Sequence, residues 1–169
     1  MSADRIFIGW LITCIFTVLT GCAAPGLQNT PSAKTGEFWR GRLAVRVTAN
    51  TVSTPPQSFS AGFELSGTPQ AGDLAFFTPI GTTAAQVHWT PSEARLQTPS
   101  ETRSFVNLNT LLLALLGTDV PVTALFAWLN GRSVATDGWT ADLTERNLGK
   151  ISAHKLLAPQ AELLILLEP

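Results

Sequence analysis

Apolar and polar side chains alternate along the chain from about residue 38 to residue 97. Leu43, Val45 and Val47 fall on one face of a predicted strand, and Arg42 and Arg46 fall on the other. The same alternation recurs in short segments separated by Gly- and Pro-containing turns. The inward positions of these later segments are Phe59, Ala61, Phe63, Leu65, Leu74, Phe76, Ala85, Val87, Trp89, Ala94 and Leu96. Short strands with one apolar face predict an antiparallel, meandering sheet.

The hydrophobic period changes from two to that of a helix after Phe105. One side of the first predicted helix carries Leu108, Leu111, Leu112, Leu115 and Leu116. Asn107 or Asn109 is suited to be the N-cap, and Gly117 is placed to end the helix.

A second helix is predicted over residues 122–130, with Pro121 in its first turn and Gly131 at its end. Its inward stripe is Leu125, Trp128 and Leu129. Two Leu-rich helices inserted in a β meander indicate a cover over the apolar face of the sheet.

The C-terminal part of the chain returns to β character. Candidate strands span residues 139–143, 151–157 and 162–167. Residues 163–167 are a nearly continuous aliphatic run, which predicts that the last strand is buried on both faces.

The N-terminus resembles a secretory targeting segment. Arg5 is followed by an apolar stretch, residues 6–19, that is shorter than the roughly 20 residues needed to span a bilayer. It ends in Leu19-Thr20-Gly21-Cys22, the type of sequence that a lipoprotein signal peptidase cuts. We therefore expect Cys22 to be lipidated. An uncleaved anchor, or an ordinary signal cleaved near Ala23-Ala24, is the alternative.

The predicted organisation has three parts: a lipoprotein signal peptide (1–21), an acylated Cys with a flexible tether (22–36), and a folded domain (37–169). The residue after Cys22 is Ala23 and not the Asp that retains many lipoproteins in the inner membrane. We therefore expect the chain to be lipid-anchored in the outer membrane, facing the periplasm.

Composition and charge exclude some classes of function. Apolar residues make up 45% of the chain, charged residues only 14%, and the net charge is −1. Basic residues are scattered, so no nucleic-acid partner is expected. Cys14 leaves with the signal and Cys22 is acylated, so the domain is expected to have no disulfide.

Motifs for catalysis and for metal or cofactor binding are absent from the sequence, so no enzyme, metal or cofactor is expected. His88 and His154 stand alone in the sequence and are interpreted as surface or satisfied histidines. Glu64 and Asp73 would meet across a hairpin, where solvated charges are the better interpretation.

Several motifs together resemble the LolB family. The first is Leu19-Thr20-Gly21-Cys22, the lipobox. It is followed by Trp39-Arg40-Gly41-Arg42-Leu43-Ala44-Val45, Phe63-Glu64-Leu65 and the segment 73–81. The most specific block is 111–131, which contains G-x-x-x-P followed by L-x-x-W-L-x-G. The resemblance runs from the lipobox nearly to the C-terminus.

The resemblance implies an incomplete antiparallel β-barrel, a curved sheet with a helical lid over a hydrophobic cavity. It implies that a monomer takes lipoproteins from the periplasmic carrier LolA by binding their acyl chains. It also implies that the protein inserts them among the phospholipids of the inner leaflet of the outer membrane.

Two sets of site residues follow from these considerations. The predicted lining of the acyl-chain cavity is Leu43, Val45, Phe63, Leu65, Leu74, Phe76, Leu125 and Trp128. The predicted membrane-insertion loop is Pro79, Ile80 and Gly81, because it resembles the protruding loop of the family. An apolar residue between Pro and Gly in a turn is expected to point outward.

Two alternatives remain open at this point. One is a periplasm-facing outer-membrane lipoprotein with a structural or protein-binding role, which predicts a solid core. The other is an enzyme acting on acyl chains. Ser58, Ser60 and Ser66 are available as nucleophiles, but no motif links a histidine to them.

Overall fold

Nine strands form one antiparallel sheet in the part of the chain that the computed structural model describes, residues 36–48, 57–136 and 138–169. The strands are β1 (Glu37–Val47), β2 (Gln57–Gly67), β3 (Gly72–Phe77), β4 (Thr83–Thr90), β5 (Glu93–Gln97), β6 (Thr102–Phe105), β7 (Trp139–Asp142), β8 (Lys150–Lys155) and β9 (Ala161–Leu167). The helices are α1 (Leu108–Leu116) and α2 (Val122–Leu129), with a short 3-10 helix at Arg146–Leu148.

The order of the strands explains how the helices come to cover the sheet. It runs β6-β5-β4-β3-β2-β1-β9-β8-β7. The chain meanders from β1 to one edge at β6, and the α1–α2 hairpin then leads to the opposite edge at β7. Because the hairpin joins the two edges, its apolar side packs on the inner face of the curved sheet. This confirms the predicted fold class, an incomplete antiparallel barrel with a helical lid.

The register aligns the inward apolar residues of successive strands. Leu65 lies opposite Leu74, Leu74 opposite Val87, and Val87 opposite Leu96. Cross-strand apolar pairs of this kind stabilise a sheet by packing against one another and against whatever covers that face. The alternation predicted for these strands is confirmed.

The ends of α1 follow the predicted capping chemistry. The side-chain oxygen of Asn107 accepts a hydrogen bond from the backbone N–H of Thr110, so Asn107 and not Asn109 is the N-cap. Gly117 ends the helix with a left-handed φ of 72°, and its N–H donates to the carbonyl of Leu113. In α2, Pro121 precedes the helix as its N-cap and does not lie inside the first turn.

The prediction that β9 is buried on both faces is wrong. Leu163 and Ile165 are buried, but Leu164 and Leu166 are 36% and 44% exposed. Strand β9 lies in mid-sheet between β1 and β8, and the helices cover only the inner face. Its outward leucines therefore face solvent.

Strand β8 is shorter than predicted. It ends at Lys155, and Leu156 and Leu157 lie in the following turn, 72% and 63% exposed. The apolar character of these two leucines extends the β pattern in the sequence, but no partner strand pairs with them.

The sequence pattern does not predict β6. Three of its four residues are exposed, and only Phe105 is half-buried. An edge strand with polar side chains on both faces gives no alternation to detect.

Candidate functional site: an apolar cavity under a helical lid

A cavity of about 50 Å³ lies between the sheet and the two helices. Every side chain around it is apolar. The sheet contributes Leu43, Val45, Phe63, Leu65, Leu74, Phe76, Trp89, Leu163 and Ile165, and the helical region contributes Leu108, Leu112, Leu116, Val120, Val122, Leu125, Phe126 and Leu129. A site of this composition can hold hydrocarbon but offers a ligand no hydrogen bond from a side chain.

Most of the residues predicted from the sequence to line a cavity lie around this one. They are Leu43, Val45, Phe63, Leu65, Leu74, Phe76 and Leu125. Trp128 lies elsewhere: it is 1% exposed, and its ring packs 6.4 Å from the ring of Trp139. Trp128 thus packs between α2 and Trp139 of β7, whereas Phe126 and Leu129 of α2 line the cavity.

Sequence reasoning missed the lining from α1, from β9 and from Trp89. The leucine stripe of α1 did carry a signal, because its period identifies the inward side of the helix. No local signal places β9 beside the cavity, since that position depends on its pairing with β1, about 120 residues earlier in the chain.

Aromatic side chains close the cavity near the start of β1. Phe126 meets Trp39 and Trp89 edge-on, with ring centroids 5.5 Å and 6.4 Å away. The indole N–H of Trp89 donates to the carbonyl of Thr68 at 3.2 Å, in the β2–β3 turn. The polar atom of this tryptophan is therefore satisfied outside the cavity, and its rings complete the apolar wall.

Polar contacts hold the beginning of α2 against the sheet. The carbonyl oxygen of Asp119, just before α2, accepts a hydrogen bond from the indole N–H of Trp139 at 2.9 Å. The carboxylate of Asp119 also pairs with the ammonium of Lys155, whose side chain is only 8% exposed. Because these contacts are directional, they fix the position of the α1–α2 connection on β7 and β8.

The end of α2 is held in the same way. The guanidinium of Arg146 donates from Nε to the carbonyl of Leu129 at 2.9 Å. The side-chain amide of Asn130 donates to the carboxylate of Glu37 at 2.6 Å. Helix α2 is therefore fixed at both ends.

Helix α1 is held differently. Among the hydrogen bonds between described residues, none joins a side chain of α1 to a strand. Its buried face is made of Leu108, Leu111, Leu112 and Leu116. Apolar packing, which has no directional requirement, attaches α1 to the sheet.

The β3–β4 turn presents Ile80 to solvent. Gly81 donates its N–H to the carbonyl of Thr78 and has a φ of 84°, which favours glycine. The hydroxyls of Thr78 and Thr82 lie 2.7 Å apart across the base of the turn. Ile80 is 86% exposed at its tip. The turn is braced by hydrogen bonds, and its aliphatic residue is left exposed to solvent.

The outer face of β3 to β6 is polar, and His88 is a surface histidine there, as expected from the sequence. His88 does not stand alone, because its Nδ1 lies 2.8 Å from the carboxylate of Asp73 on the neighbouring strand. Glu64 lies opposite Ala75 and not opposite Asp73. Hydrogen bonds from Ser104 and Arg95 lower the pKa of Glu93 on the same face. These groups are solvated and lie on the side of the sheet away from the cavity.

Two further properties apply to the described residues only. No group of three or more His, Cys, Asp or Glu side chains there is arranged to bind a metal ion. No helix among them combines the length and the apolar character needed to cross a bilayer.

Comparison with known proteins identifies relatives over most of the domain. Residues 39–155 match the family model described as Outer membrane lipoprotein LolB. Outer-membrane lipoprotein LolB of Shewanella loihica is 33% identical over 126 residues, 70% of this chain and 55% of that protein. The protein of the same name from Bordetella petrii is 33% identical over 132 residues, 76% of this chain and 64% of that protein. The chain thus spans a little over half to nearly two thirds of the length of these relatives.

Neighbouring leucines of α1 provide a matched test of the cavity wall. Leu112 is 4% exposed and lines the cavity, whereas Leu113, the next residue of the helix, is 49% exposed to solvent. We expect Leu112→Ala to lower the free energy of unfolding by about 2–5 kcal/mol, because it removes buried methyl groups and enlarges a void. Leu113→Ala should change it by less than about 0.5 kcal/mol. Urea unfolding followed by tryptophan fluorescence measures both, and equal losses would contradict the assignment of the two faces.

Proposed function

The chain belongs to the LolB family of outer membrane lipoproteins, and from that premise we propose that it receives lipoproteins from the periplasmic carrier LolA. In this proposal it binds their acyl chains under its helical lid and inserts them into the inner leaflet of the outer membrane. The observation that carries the proposal is the wholly apolar lining of the cavity between the sheet and the lid. Acyl chains gain about 0.8 kcal/mol for each CH₂ removed from water, and this lining offers them an apolar surface.

The size of the cavity determines how an acyl chain would enter. Small-molecule sites usually enclose about 300–1,000 Å³, whereas this cavity has about 50 Å³. The described state is therefore closed, and a chain enters only as the lid moves away from the sheet. The leucines that α1 withdraws from the sheet would then contact the acyl chain, so that one apolar contact replaces another and the free-energy change of opening stays small.

The unequal attachment of the two helices indicates which one moves. Opening at α2 would break the contacts of Asp119 with Trp139 and Lys155, and those of Leu129 and Asn130 at its other end. Among the described residues, opening at α1 breaks no side-chain hydrogen bond between this helix and a strand. We infer that α1 swings away from β2 and β5 while α2 stays in place.

A distance measurement tests this motion directly. Spin labels at exposed positions of the helices, Leu113→Cys on α1 or Thr123→Cys on α2, are each paired with Gln86→Cys on the outer face of β4. Addition of palmitate should lengthen the distance between the labels at 113 and 86 by about 4 Å, the carbon–carbon contact distance of an interposed acyl chain. The α2 distance should stay unchanged. Equal movement of both helices, or movement of α2 alone, would show that the polar contacts do not decide which helix opens.

Release of the acyl chains requires contact with the bilayer, and we assign this contact to Pro79, Ile80 and Gly81. In support, Ile80 is 86% exposed on a braced turn. Burying one such side chain in lipid is worth roughly 1.5–3 kcal/mol, which suits a transient contact better than a permanent anchor.

The Ile80→Glu variant is expected to fold and to accept acyl chains normally but to lose insertion of lipoprotein into vesicles by about tenfold or more, because a carboxylate resists entry into lipid. Ile80→Leu is the control and should insert at the rate of the parent. The assay follows a radiolabelled lipoprotein, preloaded on each variant, into sedimented vesicles. Normal insertion by Ile80→Glu would exclude the turn as the contact.

Anchoring of the chain is the remaining part of the proposal. Cys22 lies outside the described residues, and its lipidation is supported by the lipobox and by the names of the relatives. With a tether at 22–36, the acylated cysteine would hold the folded domain, 37–169, as a monomer on the periplasmic side of the outer membrane. The alternative role, in which an outer-membrane lipoprotein binds a protein partner through a solid core, predicts that no acyl chain is taken up.

A further inference from the structure

A second turn exposes aliphatic side chains to solvent. Leu156 and Leu157, between β8 and β9, are 72% and 63% exposed. The turn is held at both ends by the backbone: the N–H of Leu156 donates to Gly138 at 3.2 Å, and the carbonyl of Gln160 accepts from Thr48 at 2.9 Å. The segment lies beyond residues 39–155, the part of the chain that matches the family model.

The strand register brings this turn to the same end of the sheet as Ile80. Val47, the last residue of β1, lies opposite Ala161, and Ala161 lies opposite Lys155, so the β8–β9 turn follows the end of β1. Val47 also lies opposite Gln57, the first residue of β2. Strand β2 runs away from that end and β3 returns towards it, so the β3–β4 turn points in the same direction.

The two turns lie close enough in the sheet to contact one flat surface together. The register is staggered, since β3 ends opposite Gly62 and not opposite Gln57. Stagger of this kind accompanies strands tilted in a barrel and lets successive turns form one rim. Four strand spacings separate the turns in the sheet order, which is about 19 Å measured perpendicular to the strands, and the stagger adds an offset along them.

Charge distinguishes these two turns from the turn that exposes Leu148 at the opposite end of the sheet. Residues 78–82 are Thr-Pro-Ile-Gly-Thr and residues 156–160 are Leu-Leu-Ala-Pro-Gln, with no charged side chain in either turn. At the opposite end Leu148 is 82% exposed, but Glu145, Arg146 and Lys150 surround it in sequence. Charged groups resist removal from water. The two turns with no charged side chain therefore fit hydrocarbon better than the turn that carries Leu148.

We propose that the β8–β9 turn is a second lipid-contacting element, through which Leu156 and Leu157 enter a phospholipid bilayer together with Ile80. This inference rests on the proposed function, since the Ile80 turn supplies the first contact. Two contacts separated by four strand spacings define the orientation of the domain on the membrane, which a single side chain cannot do.

The test measures the depth of each turn in lipid. The full chain carries an environment-sensitive fluorophore at Ala158→Cys, Ile80→Cys or, at the opposite rim, Ser92→Cys, and is reconstituted in vesicles of phosphatidylethanolamine and phosphatidylglycerol. Parent chain treated with the same reagent gives the background signal. Lipids with a nitroxide on the acyl chain should quench the label at 158 and at 80 but not at 92.

Each other result has a definite meaning. Quenching at 80 with none at 158 would overturn this inference and leave the proposed function intact. Quenching at 158 with none at 80 would support the second contact and overturn the role of Ile80. Absence of quenching at both positions would overturn both.

A pair of matched variants tests whether the contact matters for insertion. Leu156→Glu with Leu157→Glu should reduce insertion of a preloaded lipoprotein into the same vesicles by about tenfold, with acyl-chain uptake unchanged. Leu148→Glu, an equally exposed leucine at the opposite rim, should insert at the parental rate. Equal loss in both would show a nonspecific effect of added charge and overturn the inference, as would no loss in either.

Discussion

The apolar inner face of the sheet must be covered from water, and the proposed function requires in addition that the cover can open. A sheet with one hydrophobic face is stable only if another layer buries that face. Here the cover is a helical hairpin that joins the two edge strands, β6 and β7. Because its ends are fixed by the chain to opposite edges of the sheet, the hairpin can loosen its contacts without leaving the domain.

The two helices of the lid are attached by different kinds of contact, polar at α2 and apolar at α1. Directional hydrogen bonds and an ion pair hold both ends of α2, and they leave little freedom of position. Leucine contacts hold α1, and these can be exchanged for contacts with hydrocarbon at little change in free energy, because the hydrophobic effect depends on the area buried and not on the identity of the partner. In the proposed function, one helix thus preserves the fold while the other admits a ligand.

Local patterns in the sequence predicted much of this arrangement. The alternation in β1 to β5, the leucine stripe of α1 and the Pro-Ile-Gly turn are each readable over a few residues. The failures involve long-range contacts. Whether Leu164 is buried depends on what covers the outer face of β9, and the partner of His88 depends on the register of β3 and β4. Trp128 and Phe126 are close neighbours on one short helix, but Trp128 packs on Trp139 and Phe126 on Trp39 and Trp89, contacts that no local pattern predicts.

The central claim, that the domain takes acyl chains from a carrier, is tested most directly by transfer. Residues 23–169, made without the acylated cysteine, are mixed with the periplasmic carrier LolA loaded with a radiolabelled lipoprotein, and the label is followed after the two proteins are separated. Movement of the label onto the domain is the predicted result. Retention of the label on the carrier, with the domain folded, would contradict the account and favour a role in binding a protein partner.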